Sequence, residues 1–304
     1  MKRFFNYLPI ILLMLFASCK NKGSLNSDGI PNTLIIGNIQ TDNFQEIINI
    51  REKIRQYLQK KLGMPVEMIS STDYNGIIEG LKSNKLHIAN LPPFAYVIAT
   101  RNLKLIPMVT LGIHGKPSTY HSVIMVNAKS NIYSMDDVKR NAKKLSFCFV
   151  EPASASGHLV PRGYLNTIGI NPETDFKQTI FAGNHAASVL SIKAGKIDVG
   201  CTTEIAFNIM IKAKMLGPND IRVIWRSEPI VNDPIVAIPD LNKDLVKRIQ
   251  KAYLDLSKED PILLNTYVRL FTKDTAKRAY MIAQDSMYNS LRKIASGIKS
   301  LKAN

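Results

Sequence analysis

Between residues 33 and 225, short apolar runs alternate with segments whose apolar residues recur at three- and four-residue steps. The first run is TLIIGNI at Thr33–Ile39. The segment after it, Phe44–Leu62, places Ile47, Ile50, Ile54, Tyr57 and Leu58 on one helical face, and Gly63 follows as a stop. Uninterrupted apolar runs separated by helices read as strands covered on both faces. The alternation therefore predicts an α/β sheet of parallel or mixed order.

The same pattern places the remaining elements. Strands are expected at Val66–Ile69, Leu86–Asn90 and Leu105–Leu111, with helices at Tyr74–Leu81 and from Pro92 to about Thr100. A second series begins at Tyr120–Asn127, YHSVIMVN. It continues through a short helix at Met135–Val138 and strands at Leu145–Val150, Thr179–Phe181 and Lys196–Cys201. Its other helices are expected at His158–Thr167, Asn184–Ala194 and Ile205–Met215, before a strand at Ile221–Trp225. Ser227–Val236, SEPIVNDPIV, has two prolines and reads as a return crossing; helices from about Leu241, Ile262 and Asp274 close the chain. Two α/β series joined by two crossings predict a hinged, two-lobed clamp with a ligand cleft. Lobe 1 is expected at 33–112 plus 225–304, and lobe 2 at 113–224.

Glu151–Leu165, EPASASGHLVPRGYL, carries the clearest chemical signal. A strand-like run leads into Ser154, Ala155, Ser156 and Gly157 and then into a helix that tolerates Pro161 only in its first turn. The first N–H groups of a helix lack partners within it, and the positive end of its dipole lies there. Two added hydroxyls make that turn a cradle for phosphate-like oxygens. A serine turn is also the ordinary form of an N-cap, so the stretch alone leaves both readings open.

Charge agrees with an anionic guest. The 304 residues carry a formal charge of +16, which suits small anions or a negative membrane surface. The basic residues are spread along the chain without a block or a recognisable motif, so no nucleic-acid partner is expected. There is no P-loop, G-x-G-x-x-G, H-E-x-x-H or G-x-S-x-G, and the five histidines show no paired spacing. No metal, cofactor or catalysis is expected; a Ser154 or Ser156, His185, Asp233 hydrolase triad is the enzymatic alternative.

At the N-terminus, Lys2 and Arg3 precede an apolar run at Leu8–Phe16 and then Ala17-Ser18-Cys19. This predicts a lipoprotein signal peptide over residues 1–18 and lipidation of Cys19, although Phe16 stands where leucine is usual. Residues 19–32 read as a flexible tether. Cys148 and Cys201 lie in apolar runs and are expected as buried thiols, with a disulfide left open.

Several segments, taken in order, resemble the PhnD-like phosphonate/phosphate/phosphite substrate-binding proteins of ABC transporters. They are DYNGIIEGLKSNKLHIAN at Asp73–Asn90, GKPSTYHSVIMVN at Gly115–Asn127 and EPASASGHLVPRGYL at Glu151–Leu165. AGNHAASVLSIKAGKIDVG at Ala182–Gly200, TTE at Thr202–Glu204 and VIWRSEPIVNDPIV at Val223–Val236 follow. The resemblance implies a type II periplasmic binding fold, an inter-lobe cleft for a small phosphorus oxyanion, an ABC permease as partner, and a monomer. It implies binding by Tyr74, Tyr120, Ser154, Ala155, Ser156, His185, Glu204 and Asp233. Ala155 departs from the family's usual Ser-Thr-Ser and removes one hydroxyl.

Glu204 and Asp233 would repel an oxyanion unless the ligand also carries a cation or one carboxyl is protonated. An aminoalkylphosphonate would satisfy both ends; pairing of these acids with lysine or arginine is the alternative. A lipid-anchored phosphate- or phosphite-binding module serving a sensor kinase is the alternative to transport.

Overall fold

The computed structural model describes residues 24–39, 45–71, 73–271 and 277–298, with the side chain of residue 271 excluded. Two sheets organise these residues. Across the first, the strands run Arg278–Ile282, Ile106–Ile113, Ile235–Ala237, Ile88–Asn90, Leu34–Ile39 and Val66–Ser71, with Lys116–Pro117 pairing beside Ile106–Ile113. Leu34–Ile39 is parallel to both neighbours, with Leu34 opposite Val66 and Ile36 opposite Ile88. All six of its residues are buried, as a strand covered on both faces requires. Helix Gln45–Leu62 packs there through Ile47, Ile50, Ile54, Leu58 and Leu62 and ends at Gly63, whose φ of +63° suits a residue without Cβ.

The second sheet runs Ile221–Arg226, Ser122–Asn127, Val199–Thr203, Ser146–Phe149 and Gln178–Phe181. Ser122–Asn127 is antiparallel to both its neighbours, and the last three strands are parallel. Thr119–Tyr120 and Ile230–Val231 pair antiparallel to each other in a separate ribbon. They lie where the chain leaves the first sheet for the second and where it returns, so the crossing is two-stranded. The C-terminal helix Asn289–Gly297 touches helix Pro93–Ala99 on one side and helix Val160–Thr167 on the other.

Gly200 is opposite Cys148, which puts Cys148 and Cys201 on opposite faces of the second sheet. Cys148 packs with Val189 and Ile192, Cys201 with Phe147 and Phe149, and both are free thiols. This settles the pairing question: a disulfide cannot pass through a sheet.

Two expectations are corrected. Within the expected tether at 19–32, residues 24–32 form a docked turn. Asn26 N–H donates to Ile30 O at 3.0 Å, and Asn242 donates its backbone N–H to Gly29 O at 2.8 Å and its side-chain amide to Asp28 O at 2.9 Å. Composition suggested a flexible coil, but that same asparagine caps helix Lys243–Glu259 and anchors the turn. The helix expected from Asp274 is also displaced. Residues 272–276 lie outside the described residues, Arg278–Ile282 is a strand paired with Ile106–Ile113, and the last helix is Asn289–Gly297. Cys19 and the signal peptide at 1–18 lie outside the described residues.

Candidate functional site

A cleft of about 510 Å³ opens between the two sheets. Several helices present their first residue to it, each set there by the cap before it. Asp73 accepts from Asn75 and Gly76 N–H and starts Tyr74–Lys82. Asn184 accepts from Ala187 N–H and starts His185–Lys193; Thr203 accepts from Ile205 N–H and starts Glu204–Lys212. Tyr74, His185 and Glu204 consequently line the cleft, joined by Tyr120 from the crossing ribbon and Asp233 from the return segment. Helix N-termini turned on a cleft favour an anion there.

The serine turn lies behind this wall. Ser154, Ala155 and Ser156 are 2–3% exposed and do not line the cleft among the described residues. Ser154 caps the turn by accepting from Gly157 N–H at 3.0 Å. Residues Ala155–Leu159 form one wide turn, with Leu159 N–H bonded to Ser154 O, before helix Val160–Thr167. Pro161 explains the widening. It has no N–H to give to the carbonyls four or five residues back, and those carbonyls find partners on the sheet. Gly157 O accepts from Val150 N–H at 2.8 Å and from the Cys201 thiol at 3.0 Å, while Ser156 O accepts from the Ser122 hydroxyl at 2.6 Å. The expected proline in a first turn is present, and its consequence is to lock the turn onto strands Ser122–Asn127 and Val199–Thr203.

Ser154 faces the Tyr74 phenol and Ser156 the Tyr120 phenol. Both phenols are pushed above their ordinary range, chiefly by burial and next by the Asp233 charge, with the serines opposing. Both hydroxyls therefore stay protonated and can donate. Burial pushes the Asp233 carboxyl up to about 7, against its own backbone N–H and the Arg51 charge. Burial also lifts Glu151 to about 7, against a 2.7 Å bond from Ala153 N–H and with Asp73 adding to the rise. Burial lowers His185 to about 4, so its ring is neutral at pH 7. Thr203 N–H donates to His185 Nδ1 at 3.3 Å, which places the ring proton on Nε2 as a donor.

Glu204 lines the cleft beside Arg226. Its carboxylate accepts from Arg226 Nη2 at 2.9 Å and Nε at 3.2 Å, which is the pairing alternative. The cleft also holds Arg51, Asn90, His121, Arg278, Tyr267 and Tyr280, none singled out from the sequence. Arg226 sat within a quoted segment, immediately after the apolar pair Ile224-Trp225 of its strand. Arg51 sits in a helix of mixed charge, where nothing local marks it. For the triad alternative, His185 is oriented by Thr202 and Thr203 instead of a carboxylate. Among the described residues, no group of histidine, cysteine and acidic side chains could hold a metal, and no helix is long and apolar enough to cross a membrane.

Comparison with known proteins bears on this geometry. Residues 36–281 match the family model described as ABC transporter, phosphonate, periplasmic substrate-binding protein. The chain is 29% identical over 244 residues to the phosphate-import protein PhnD of Mycolicibacterium smegmatis, covering 76% of this chain and 74% of that one. It is 31% identical over 231 residues to the phosphonates-binding periplasmic protein of Escherichia coli, covering 74% of this chain and 66% of the relative. Among solved structures, PhnD1 of Prochlorococcus marinus in complex with methylphosphonate superposes with a TM-score of 0.75 at 22% identity, over 88% of this chain and 98% of that one.

Proposed function

We infer the role of this chain from the premise that it belongs to the periplasmic phosphonate-binding family of ABC transporters, with the two-lobed type II periplasmic binding fold. It is the solute-binding component of an importer for a phosphorus oxyanion, and members of this family are substrate-binding transport proteins. The finer reading is that the ligand is a phosphonate held between the lobes 33–112 plus 225–304 and 113–224.

The observation that supports this reading most is the convergence of neutral donors on one place. The Tyr74 and Tyr120 hydroxyls, His185 Nε2–H and a protonated Asp233 can each give a hydrogen bond to an oxyanion. Ser154 and Ser156 stand behind the tyrosines, and the leading N–H groups of their turn, that of Ala155 included, are available once the phenols rotate toward the ligand. Tyr74 belongs to one half and the serine turn to the other. A ligand contacting both is bound more tightly in the closed arrangement, so it favours closure. The closed monomer presents itself to a membrane permease. Lipidation of Cys19 would keep it at the membrane surface.

Isothermal titration of the purified chain with methylphosphonate, phosphite and inorganic phosphate tests the reading. At least one should bind with a 1:1 stoichiometry that Tyr120→Phe weakens. Absence of binding by all three would overturn it.

A further inference from the structure

A small second pocket adjoins the cleft. It holds about 30 Å³, and Arg51, Asn90, Tyr267 and Tyr280 line both spaces. By the measure that one water needs about 10–15 Å³, it accommodates about two water-sized groups, the size of a carboxylate head. Asn38 forms part of its wall, is only 8% exposed, and its Nδ2 has no hydrogen-bond partner among the described residues. A buried donor in that position favours any ligand that brings an acceptor. Arg51 supplies a guanidinium beside it, held by a 3.0 Å bond from Nη2 to Ile39 O. No acidic side chain lines the pocket among the described residues.

We propose that this Asn38–Arg51 pocket is a second subsite of the cleft and takes the carboxylate of a carboxyalkylphosphonate. The proposal rests on the phosphonate reading above and names the class of phosphonate. Three observations favour an anionic tail over an ammonium. The wall offers an amide N–H, a guanidinium and phenols, all able to donate, and Arg51 repels a cation. Glu204, one of the two cleft carboxylates expected to meet an ammonium, is already paired with Arg226. The main cleft, at about 510 Å³, falls in the size range of ligands much larger than a bare phosphonate head. The four residues shared by the two spaces make the subsite continuous with the cleft, so a carbon chain joining the two anionic ends would lie within it.

Titration of the full chain with methylphosphonate, 2-aminoethylphosphonate and 3-phosphonopropionate decides it. The expected result is that 3-phosphonopropionate binds at least about tenfold tighter than methylphosphonate, as one good hydrogen bond to a charged group provides. Asn38→Leu should cut that advantage at least about threefold, because it removes the buried amide donor while Arg51 and the phenols remain, and should leave methylphosphonate within about twofold of wild type. Arg51→Lys, which keeps the charge, should lose only part of the advantage. Equal or weaker binding of 3-phosphonopropionate in the wild-type chain overturns the proposal while the phosphonate reading stands. So does an advantage that Asn38→Leu leaves undiminished, or a preference for 2-aminoethylphosphonate. Failure of all three compounds to bind removes the phosphonate reading and the subsite together.

Discussion

The Glu204 carboxylate and the Arg226 guanidinium are joined by two hydrogen bonds, at 2.9 and 3.2 Å, on the wall of the cleft. The pair is half exposed, so its own contribution to stability is small. Its electrostatic effect on the ligand is larger, because it cancels a negative charge that would face an oxyanion. Arg226→Ala should therefore weaken methylphosphonate binding about fivefold, about 1 kcal/mol of restored repulsion in a solvated site. The melting temperature should hardly move. Unchanged affinity on titration would show that Glu204 does not face the ligand.

Tyr74→Phe removes one hydroxyl and leaves the ring in the core. With the phenol donating to a charged oxygen, affinity should drop about tenfold or more. Ser154→Ala acts differently, because Ser154 Oγ is the acceptor that caps the turn through Gly157 N–H. It should cost about 1 kcal/mol of stability in denaturant unfolding, a loss that Tyr74→Phe does not share. Equal destabilisation by both changes would contradict that division of roles.

Gly157 sits where a Cβ would lie 2.4 Å from Val150 Cβ and 2.8 Å from Ser154 Oγ. Both atoms belong to the strand end and the cap, which cannot yield without moving the turn. Gly157→Ala should cost about 3 kcal/mol through overpacking. Ligand binding should fall with it, measured at a temperature where the variant is still folded. A variant as stable as wild type would mean the turn has room to shift.

Stability against pH should carry two opposing contributions. Asp233 and Glu151 are raised to about 7 in the folded chain. The folded state then binds more protons than the unfolded one, and stability from these groups falls as pH rises from about 4.5 to 7. His158 and His185 are lowered to about 4 by burial, with the Pro152 carbonyl bond opposing at His158. Their stability is present above about 6.5 and is lost as pH falls toward 4. The four groups offset each other between about 4.5 and 6.5. Asp233→Asn should break the balance and make stability rise with pH across that window, read from urea midpoints. A profile identical to wild type would mean Asp233 titrates normally.

Cys19 is testable in cells. A clickable palmitate analogue should label the wild-type chain and not Cys19→Ser, which should leave the membrane fraction for the soluble one. Equal labelling of both would remove the lipid anchor.

Much of the architecture was legible in the residue order. Period-two and period-3.6 patterns act over a few residues, so the strand at Leu34–Ile39 and the helix at Gln45–Leu62 could be placed almost to their ends. The N-caps that aim Tyr74, His185 and Glu204 at the cleft are equally local: Asp73, Asn184 and Thr203 each precede their helix by one residue. Other features depend on groups distant in the chain. Asn242 captures residues 28 and 29 from more than 200 positions away, and composition alone described that stretch as loose. The strand at Arg278–Ile282 exists because Ile106–Ile113 offers an unpaired edge to it. Arg226 reaches Glu204 across 22 residues, and the Arg51 charge acts on Asp233 although the two are far apart in the chain.

Sequence by itself determined the element order, the caps and the serine turn, because those follow from sterics and hydrogen bonds among near neighbours. Tertiary structure alone decided which charges are paired, which carboxyls burial raises toward neutrality and which buried amide lacks a partner among the described residues. Those properties depend on burial and on through-space distance, and neither quantity is written along the chain.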